Sequence, residues 1–115
     1  MKTIARGEVY LVNFDPTVGS EIRKTRPALI IQNDTANRYS PITIVAAITS
    51  KFDDKLYPTE VLIPAGEAGL KQGSVIVFDQ IRTIDKTRIV KKLGKVNAFT
   101  LKRADMALKI SVGLI

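Results

Sequence analysis

The sequence contains neither cysteine nor histidine among its 115 residues. Without cysteine the chain can form no disulfide framework and no thiolate metal site. Histidine is the side chain that passes protons most readily near neutral pH, and it is the most common ligand of transition metals. Any catalysis must therefore use carboxylates, hydroxyls, amides, lysine or arginine, and zinc sites lose their usual donors.

Long hydrophobic runs are missing as well. No stretch approaches the ~18 consecutive apolar residues of a membrane-spanning helix. Lys2 and Arg6 place charge too close to the first residue for a secretory signal. The length and the 45% hydrophobic content suit one domain with one core. We therefore expect a single domain over 1–115 and a cytoplasmic location.

Positive charge is abundant and unevenly distributed. Lys and Arg number 18 against 11 Asp and Glu, a formal charge of +7. Residues 1–60 carry eight bases and seven acids (+1), whereas residues 61–115 carry ten bases and four acids (+6). A basic field favours nucleic acid, an acidic protein or a membrane surface as partner. A basic soluble protein without such a partner fits the charge equally well.

Short runs with the character of β-strands occupy most of the chain. Apolar or alternating residues bounded by Gly, Pro, Asn or Asp predict strands at 8–14, 27–32, 42–49, 59–63 and 89–93, and either two strands or one bent strand across 74–84. The run 42–49 is almost wholly apolar, which is typical of a strand covered on both faces. This pattern predicts a mainly β fold, a small and strongly bent antiparallel barrel.

The end of the chain changes to helical periodicity. Asn97 is a suitable N-cap, and Val96 and Leu101 are spaced for a hydrophobic staple around it. Small or apolar residues then recur on one helical face at Leu101, Ala104, Leu108 and Ser111 or Val112. We expect this helix to cover the barrel. Two stretches without a strand pattern, 15–26 and 50–57, would form loops at one rim.

A series of motifs resembles the MazF/PemK toxins of bacterial toxin–antitoxin pairs. In chain order they are Arg6-Gly7-Glu8-Val9-Tyr10, Asp15-Pro16, Gly19-Ser20-Glu21, Thr25-Arg26-Pro27-Ala28-Leu29-Ile30-Ile31-Gln32-Asn33-Asp34, Ile44-Val45-Ala46-Ala47-Ile48-Thr49-Ser50, Pro58-Thr59-Glu60-Val61, Gly73-Ser74-Val75-Ile76 and Gln80-Ile81-Arg82-Thr83-Ile84-Asp85. The resemblance covers nearly the whole chain with ordinary spacings.

The resemblance implies a fold, an activity and partners. The fold is a small SH3-like antiparallel barrel of the CcdB/MazF type with a C-terminal helix. The activity is that of a toxin which cuts single-stranded RNA at short sequences, without metal or cofactor, to 2′,3′-cyclic phosphate and 5′-hydroxyl ends. The partners are a second copy of the chain, single-stranded RNA and an acidic, MazE-like antitoxin, with no membrane involved. This chemistry needs no histidine, in agreement with the composition.

Position by position, the family's catalytic arginine corresponds to Arg26 and its catalytic threonine to Thr49. Pro27 holds Arg26 extended at the start of a strand, where its guanidinium can grip the scissile phosphate and stabilise the transition state. Thr49 ends the apolar run and would bring its hydroxyl to the rim. The pKa of arginine lies above ~12, so we assign Arg26 as an electrostatic stabiliser and candidate acid. The general base stays unassigned, and Glu21 is interpreted as holding an arginine in place.

Five further residues are candidate RNA contacts. Ser20 and Gln80 correspond to family positions near the RNA, and Gln80 would read a base edge. Tyr57 and Pro58 offer stacking surface, and Lys24 offers a phosphate contact. Packing and solvated loop charge are the ordinary alternatives for these residue types. No residue is assigned to a metal.

Two other classes of function stay open from the sequence. A CcdB-like gyrase inhibitor uses an exposed Trp-Gly-Ile end, whereas this chain ends in 112–115 as Val-Gly-Leu-Ile and has no tryptophan. A plain RNA-binding module on a small barrel is the second alternative. Arg26 and Thr49 together favour an enzyme. A metal nuclease is least favoured, because only Asp53 and Asp54 are adjacent carboxylates.

Overall fold

The computed structural model describes residues 3–22 and 24–115, so residues 1, 2 and 23 lie outside the described part. The elements are β1 (Glu8–Asn13), β2 (Thr25–Ile30), α1 (Asp34–Tyr39), β3 (Ile42–Thr49), β4 (Glu60–Ile63), β5 (Ser74–Asp85), β6 (Ile89–Lys95) and α2 (Ala98–Ser111), with 3₁₀ turns at Glu67–Gly69 and Lys86–Arg88. All pairings in the six-stranded sheet are antiparallel, in the order β4-β5-β3-β2-β1-β6. The predicted mainly β fold with a C-terminal helix is confirmed.

Hydrophobic side chains cover both faces of the sheet. Leu29 and Ile48 belong to a cluster that includes the buried side of α2, whereas Ala28 and Ala47 belong to a second cluster on the opposite face. Successive strand residues point to opposite faces, so a strand with a core on each side must be apolar at nearly every position. This explains the uninterrupted apolar run of β3.

Helix α2 begins where the sequence predicts. The Asn97 side chain accepts a hydrogen bond from the backbone N–H of Thr100 at 2.8 Å. The helix lies on β4 and β5, and Ala104 and Ala107 are buried against the first cluster. Of the two residues predicted to complete its apolar face, Ser111 is half-buried and Val112 is exposed. Ser111 closes this contact by donating from its hydroxyl to the carbonyl of Phe78 at 2.6 Å.

The sheet bends at two places that the sequence pattern leaves open. β5 is one strand with a bulge, because Val77 pairs with Ala47 and Ile81 with Ala46, which leaves residues 78–80 without a partner in β3. β6 runs through Gly94 to Lys95, so the predicted stop at Gly94 is wrong. A Cβ at Gly94 would lie 2.6 Å from the carbonyl carbon of Ala68, and glycine is therefore needed where the 3₁₀ turn packs on β6.

Local predictions fail around β2. Helix α1 occupies residues to which the sequence pattern assigns neither helix nor strand, and the Asn33 side chain caps it by accepting from the N–H of Ala36 at 2.8 Å. β2 begins at Thr25, two residues earlier than predicted, so the loop before it is shorter than 15–26. Among the described residues, no helix is long and apolar enough to cross a membrane.

Candidate active site

The two candidate catalytic residues lie at neighbouring strand ends. Ala28 of β2 pairs with Ala47 of β3. Continuing this antiparallel register by two residues places Arg26 opposite Thr49, the last residue of β3. Opposite residues in antiparallel strands have their Cα atoms about 4.5–5.5 Å apart and side chains on the same face. Extended two residues past its last pair, the register therefore brings together two residues that are 23 positions apart in the sequence.

Arg26 lines a cleft at this edge of the sheet. Its side chain is half-buried, and Val12 of β1 is its strand partner on the other side. The cleft has a volume of about 200 Å³. Its lining residues are Arg26, Pro27, Ile48, Ser50, Leu70, Lys71, Gln72 and Ser74. A guanidinium can meet a phosphate with two parallel donors.

Thr49 is half-buried, and its hydroxyl is partly engaged by the following turn. Oγ1 accepts a hydrogen bond from the N–H of Lys51 at 3.1 Å and lies 3.4 Å from the carbonyl of the same residue. The first contact uses a lone pair, and the second is too long to hold the hydroxyl hydrogen firmly. The hydroxyl can therefore turn its hydrogen towards a phosphate oxygen while the loop stays in place.

A second, smaller cleft lies on the other side of the end of β3. It has a volume of about 50 Å³ and is lined by Phe14, Glu21, Ile22, Ala47, Gln80, Ile81 and Arg82. Ala47 precedes Thr49 by two residues on the same face, a separation of about 7 Å. Gln80 stands on the bulge of β5, and its Oε1 accepts from the N–H of Ile22 at 3.4 Å. That contact leaves the amide NH₂ of Gln80 to donate to a ligand.

The loop between β1 and β2 borders the second cleft and is tied down at its base. The N–H of Phe14 donates to the carbonyl of Lys24 at 2.9 Å, and the N–H of Lys24 donates to the Asp15 carboxylate at 3.1 Å. Lys24 is exposed and has a positive φ of 65°. Ser20 is exposed at the tip. Glu21 accepts from the N–H of Val18 at 2.5 Å, so its carboxylate serves the loop itself.

The loop between β3 and β4 forms a third depression near Thr49. It has a volume of about 410 Å³ and is lined by Lys51, Phe52, Asp53, Lys55, Tyr57 and Glu60. The N–H of Tyr57 donates to the Glu60 carboxylate at 2.8 Å, which holds the turn and leaves the ring 70% exposed. Pro58 is exposed beside it. Tyr57 and Pro58 thus present free surface next to the strand end that carries Thr49.

Sequence reasoning missed the residues that complete the first cleft. Lys71 and Gln72 precede β5, and they reach Arg26 only because the chain after the 3₁₀ turn returns to the edge of the sheet. Ser50 follows Thr49 directly and begins the loop predicted at 50–57. A polar stretch between a turn and a strand carries no local signal for a site. Within residues 3–22 and 24–115, no three Asp or Glu side chains converge to hold a metal ion.

Comparisons with known proteins show which family the chain and its fold resemble. Residues 5–112 match the family model of the PemK-like, MazF-like toxins of type II toxin–antitoxin systems. The chain is 46% identical over 112 residues to endoribonuclease EndoA of Bacillus subtilis (strain 168), with 97% of both chains covered. Its fold is similar to MazF from Deinococcus radiodurans, with a TM-score of 0.83, 26% identity and coverage of 98% of this chain and 99% of that one. It is also similar to an endoribonuclease from a mycobacterial species solved with its cognate antitoxin, with a TM-score of 0.80, 26% identity and 97% of both chains covered.

Proposed function

This chain belongs to the PemK-like, MazF-like toxins of type II toxin–antitoxin systems and is an endoribonuclease, and we propose that its substrate is single-stranded RNA, cut at a short sequence without a metal ion. One observation carries the proposal, namely the β2–β3 register, which pairs Ala28 with Ala47 and, extended by two residues, sets Arg26 opposite Thr49 beside an open cleft. The positive charge of the chain suits a polyanionic substrate.

The proposed reaction is an internal transfer at phosphorus. The 2′-oxygen of the substrate forms a bond to the phosphorus and gives up its proton, while the bond from phosphorus to the 5′-oxygen breaks. The products are a 2′,3′-cyclic phosphate and a 5′-oxygen that takes up a proton. Arg26 binds two phosphate oxygens and stabilises the charge that builds up on them. The Thr49 hydroxyl donates to a phosphate oxygen or orients the 2′-hydroxyl. No residue is assigned as the general base.

The residues around this pair suit the recognition of unpaired bases. Gln80 can donate from its amide to a base edge, and exposed Tyr57 and Pro58 can stack on a base. Ser20 and Lys24 on the first loop can contact the backbone. A duplex keeps its bases stacked and paired, so these contacts select single strands.

The toxin has an antitoxin as its partner, as the solved toxin–antitoxin complexes of its relatives support. We propose that this antitoxin covers Arg26 with an extended acidic segment, because carboxylates can occupy a phosphate site while offering no bond to cut. We propose further that two copies of the chain form a homodimer and that the RNA lies in a groove spanning both.

The direct test is to incubate the purified protein with one long single-stranded RNA in excess EDTA and to map the cut ends. We expect cleavage at a short repeated sequence, cyclic-phosphate ends, and no cleavage of duplex RNA or DNA. A requirement for magnesium, or 3′-hydroxyl products, would contradict the proposed chemistry. Sedimentation in the same buffer tests the dimer, and a species of 12.7 kDa at micromolar concentration would contradict it.

A further inference from the structure

The three depressions around Thr49 differ in the charges that line them. The loop depression contains Asp53 and Glu60 beside its lysines, and the Gln80 cleft contains Glu21 beside Arg82. The cleft at Arg26 is lined by two cations, Arg26 and Lys71, and by no carboxylate. Its other polar lining residues, including Ser50 and Gln72, are neutral hydrogen-bonding groups. Of these three sites, this one has the composition of an anion site.

The backbone that carries Lys71 is held on both sides. Before it, Leu70 is buried, and its carbonyl accepts from the N–H of Gly66 at 2.7 Å. After it, the hydroxyl of buried Ser74 donates to the carbonyl of Gln72 at 2.9 Å. Lys71 itself is exposed and lines the cleft. Such a lysine can bind an anion as a point charge without reordering the loop.

The position of the Arg26 cleft indicates which anion it would bind. Ile48 lines the Arg26 cleft and Ala47 lines the Gln80 cleft, so the end of β3 separates the two. An RNA strand whose scissile phosphate contacts Arg26 and Thr49 therefore continues past one cleft on each side. The Gln80 cleft offers amide donors suited to a base edge. The Lys71 cleft offers charge suited to the backbone.

We propose that Lys71, with Ser50 and Gln72, forms a subsite for the phosphodiester next to the one that is cut. This inference rests on the proposed function, because it assumes that the scissile phosphate lies at Arg26. Lys71 then contributes to RNA binding through counterion release, and it does not take part in the bond-breaking step.

The test uses a single-stranded RNA that contains the mapped cleavage sequence, with a 2′-deoxynucleotide at the cut so that binding is measured without cleavage. Four proteins are titrated with this RNA over a range of salt concentrations, namely the parent, Lys71→Ala, Lys71→Arg and Lys102→Ala. Lys102→Ala is the control, because it removes an exposed lysine from α2. Each phosphate neutralised by a cation adds about 0.7 to the slope of log K against log salt for a single strand. We expect Lys71→Ala to lower the slope by about 0.7 and Lys71→Arg to restore it.

The outcomes separate this inference from the proposed function. A slope for Lys71→Ala equal to those of the parent and of Lys102→Ala would overturn the subsite. Weaker antitoxin binding with an unchanged RNA slope would overturn it too, since the lysine would then serve the acidic partner. A parent that does not cut RNA would contradict the proposed function instead. With the all-ribose RNA at saturation, the control Lys102→Ala should cleave at the parent rate, and slow cleavage by Lys71→Ala would overturn the subsite by assigning the lysine to the bond-breaking step.

Discussion

Two threonines on the same face of β3 show how differently its two ends are built. Thr43 and Thr49 are six residues apart, or about 20 Å along the strand. Thr43 is 0% exposed, and its hydroxyl donates to the Oδ1 of Asn37 at 2.7 Å. Thr49 is half-buried at the end of the strand, and its hydroxyl contacts Lys51 in the following turn. The first hydroxyl is buried in the interior, whereas the second lies at the edge of the sheet.

The buried end is a closed hydrogen-bond network under α1. The Asn37 side chain donates to the carbonyl of Gln32 at 2.9 Å and accepts from the Gln32 amide at 3.0 Å. The ammonium of Lys86, which is also buried, donates to the Asn37 carbonyl. Among the described residues, every buried side-chain nitrogen and oxygen has a partner. A polar group in the interior stabilises the fold only when it is paired, whereas Arg26 and Thr49 at the other end are half-buried at the edge of the sheet.

This difference predicts that mutations at the open end affect activity and leave stability unchanged. The largest effect is expected for Arg26→Lys. Lysine keeps the positive charge but cannot hold two phosphate oxygens in one plane, so RNA binding should stay near the parent and cleavage should slow at least ~100-fold. Single-turnover cleavage and thermal melting measure both properties. Cleavage near the parent rate would make Arg26 a docking charge.

Mutations in the buried hydrogen-bond network should have the opposite effect, lowering stability and leaving activity unchanged. Asn37→Ala removes partners from Gln32, Thr43 and the backbone at once and leaves buried polar groups unpaired. We expect a loss of about 3 kcal/mol in the free energy of unfolding. The RNA cleavage rate of the remaining folded protein should equal that of the parent. Urea unfolding measures the first quantity, and an unchanged midpoint would mean that water replaces the network.

The matched pair Thr43→Val and Thr49→Val sharpens the comparison, since each replaces a hydroxyl by a methyl group of similar shape on the same strand. Thr43→Val should cost about 1 kcal/mol of stability without slowing cleavage. Thr49→Val should slow cleavage roughly 10- to 100-fold at an unchanged melting temperature. If both variants lose stability and neither slows cleavage, Thr49 is a structural residue like Thr43.

The smallest expected effect is on the stability of the protein at acidic pH. A hydrogen bond from the backbone N–H of Arg6, at 2.7 Å, and another from Asn37 hold the pKa of Asp34 below its ordinary value of 3.8. A depressed pKa means that this stabilisation is present above the unfolded pKa and is lost as the pH falls through the folded pKa. Below about pH 4 the melting temperature of the parent should therefore fall more steeply than that of Asp34→Asn. Parallel melting curves would show that Asp34 does not contribute.

Some features of the fold could be predicted because their cause is local. The Asn97 cap and the apolar run 42–49 are written in consecutive residues, and both are confirmed. Helix α1 was missed because it has only six residues, and a helix of that length depends on tertiary contacts such as those of Asn37. Gly94 was interpreted as a strand stop, whereas the approach of Ala68 from a distant turn explains the glycine.

The candidate site likewise has features that the sequence determined and features that only the tertiary structure decided. Arg26 and Thr49 stand in motifs that resemble a family, so the sequence by itself identified them as candidates. Because the chain has no histidine or cysteine, the sequence also determined which residue types are available and which chemistry they can perform. Only the tertiary structure decided that the β2–β3 register runs towards these two residues and that a bulge of β5 puts Gln80 beside the first loop. It also decided that Lys71 and Arg26 line one cleft. Register and bulges depend on packing between segments far apart in the chain, and no local pattern encodes such distances.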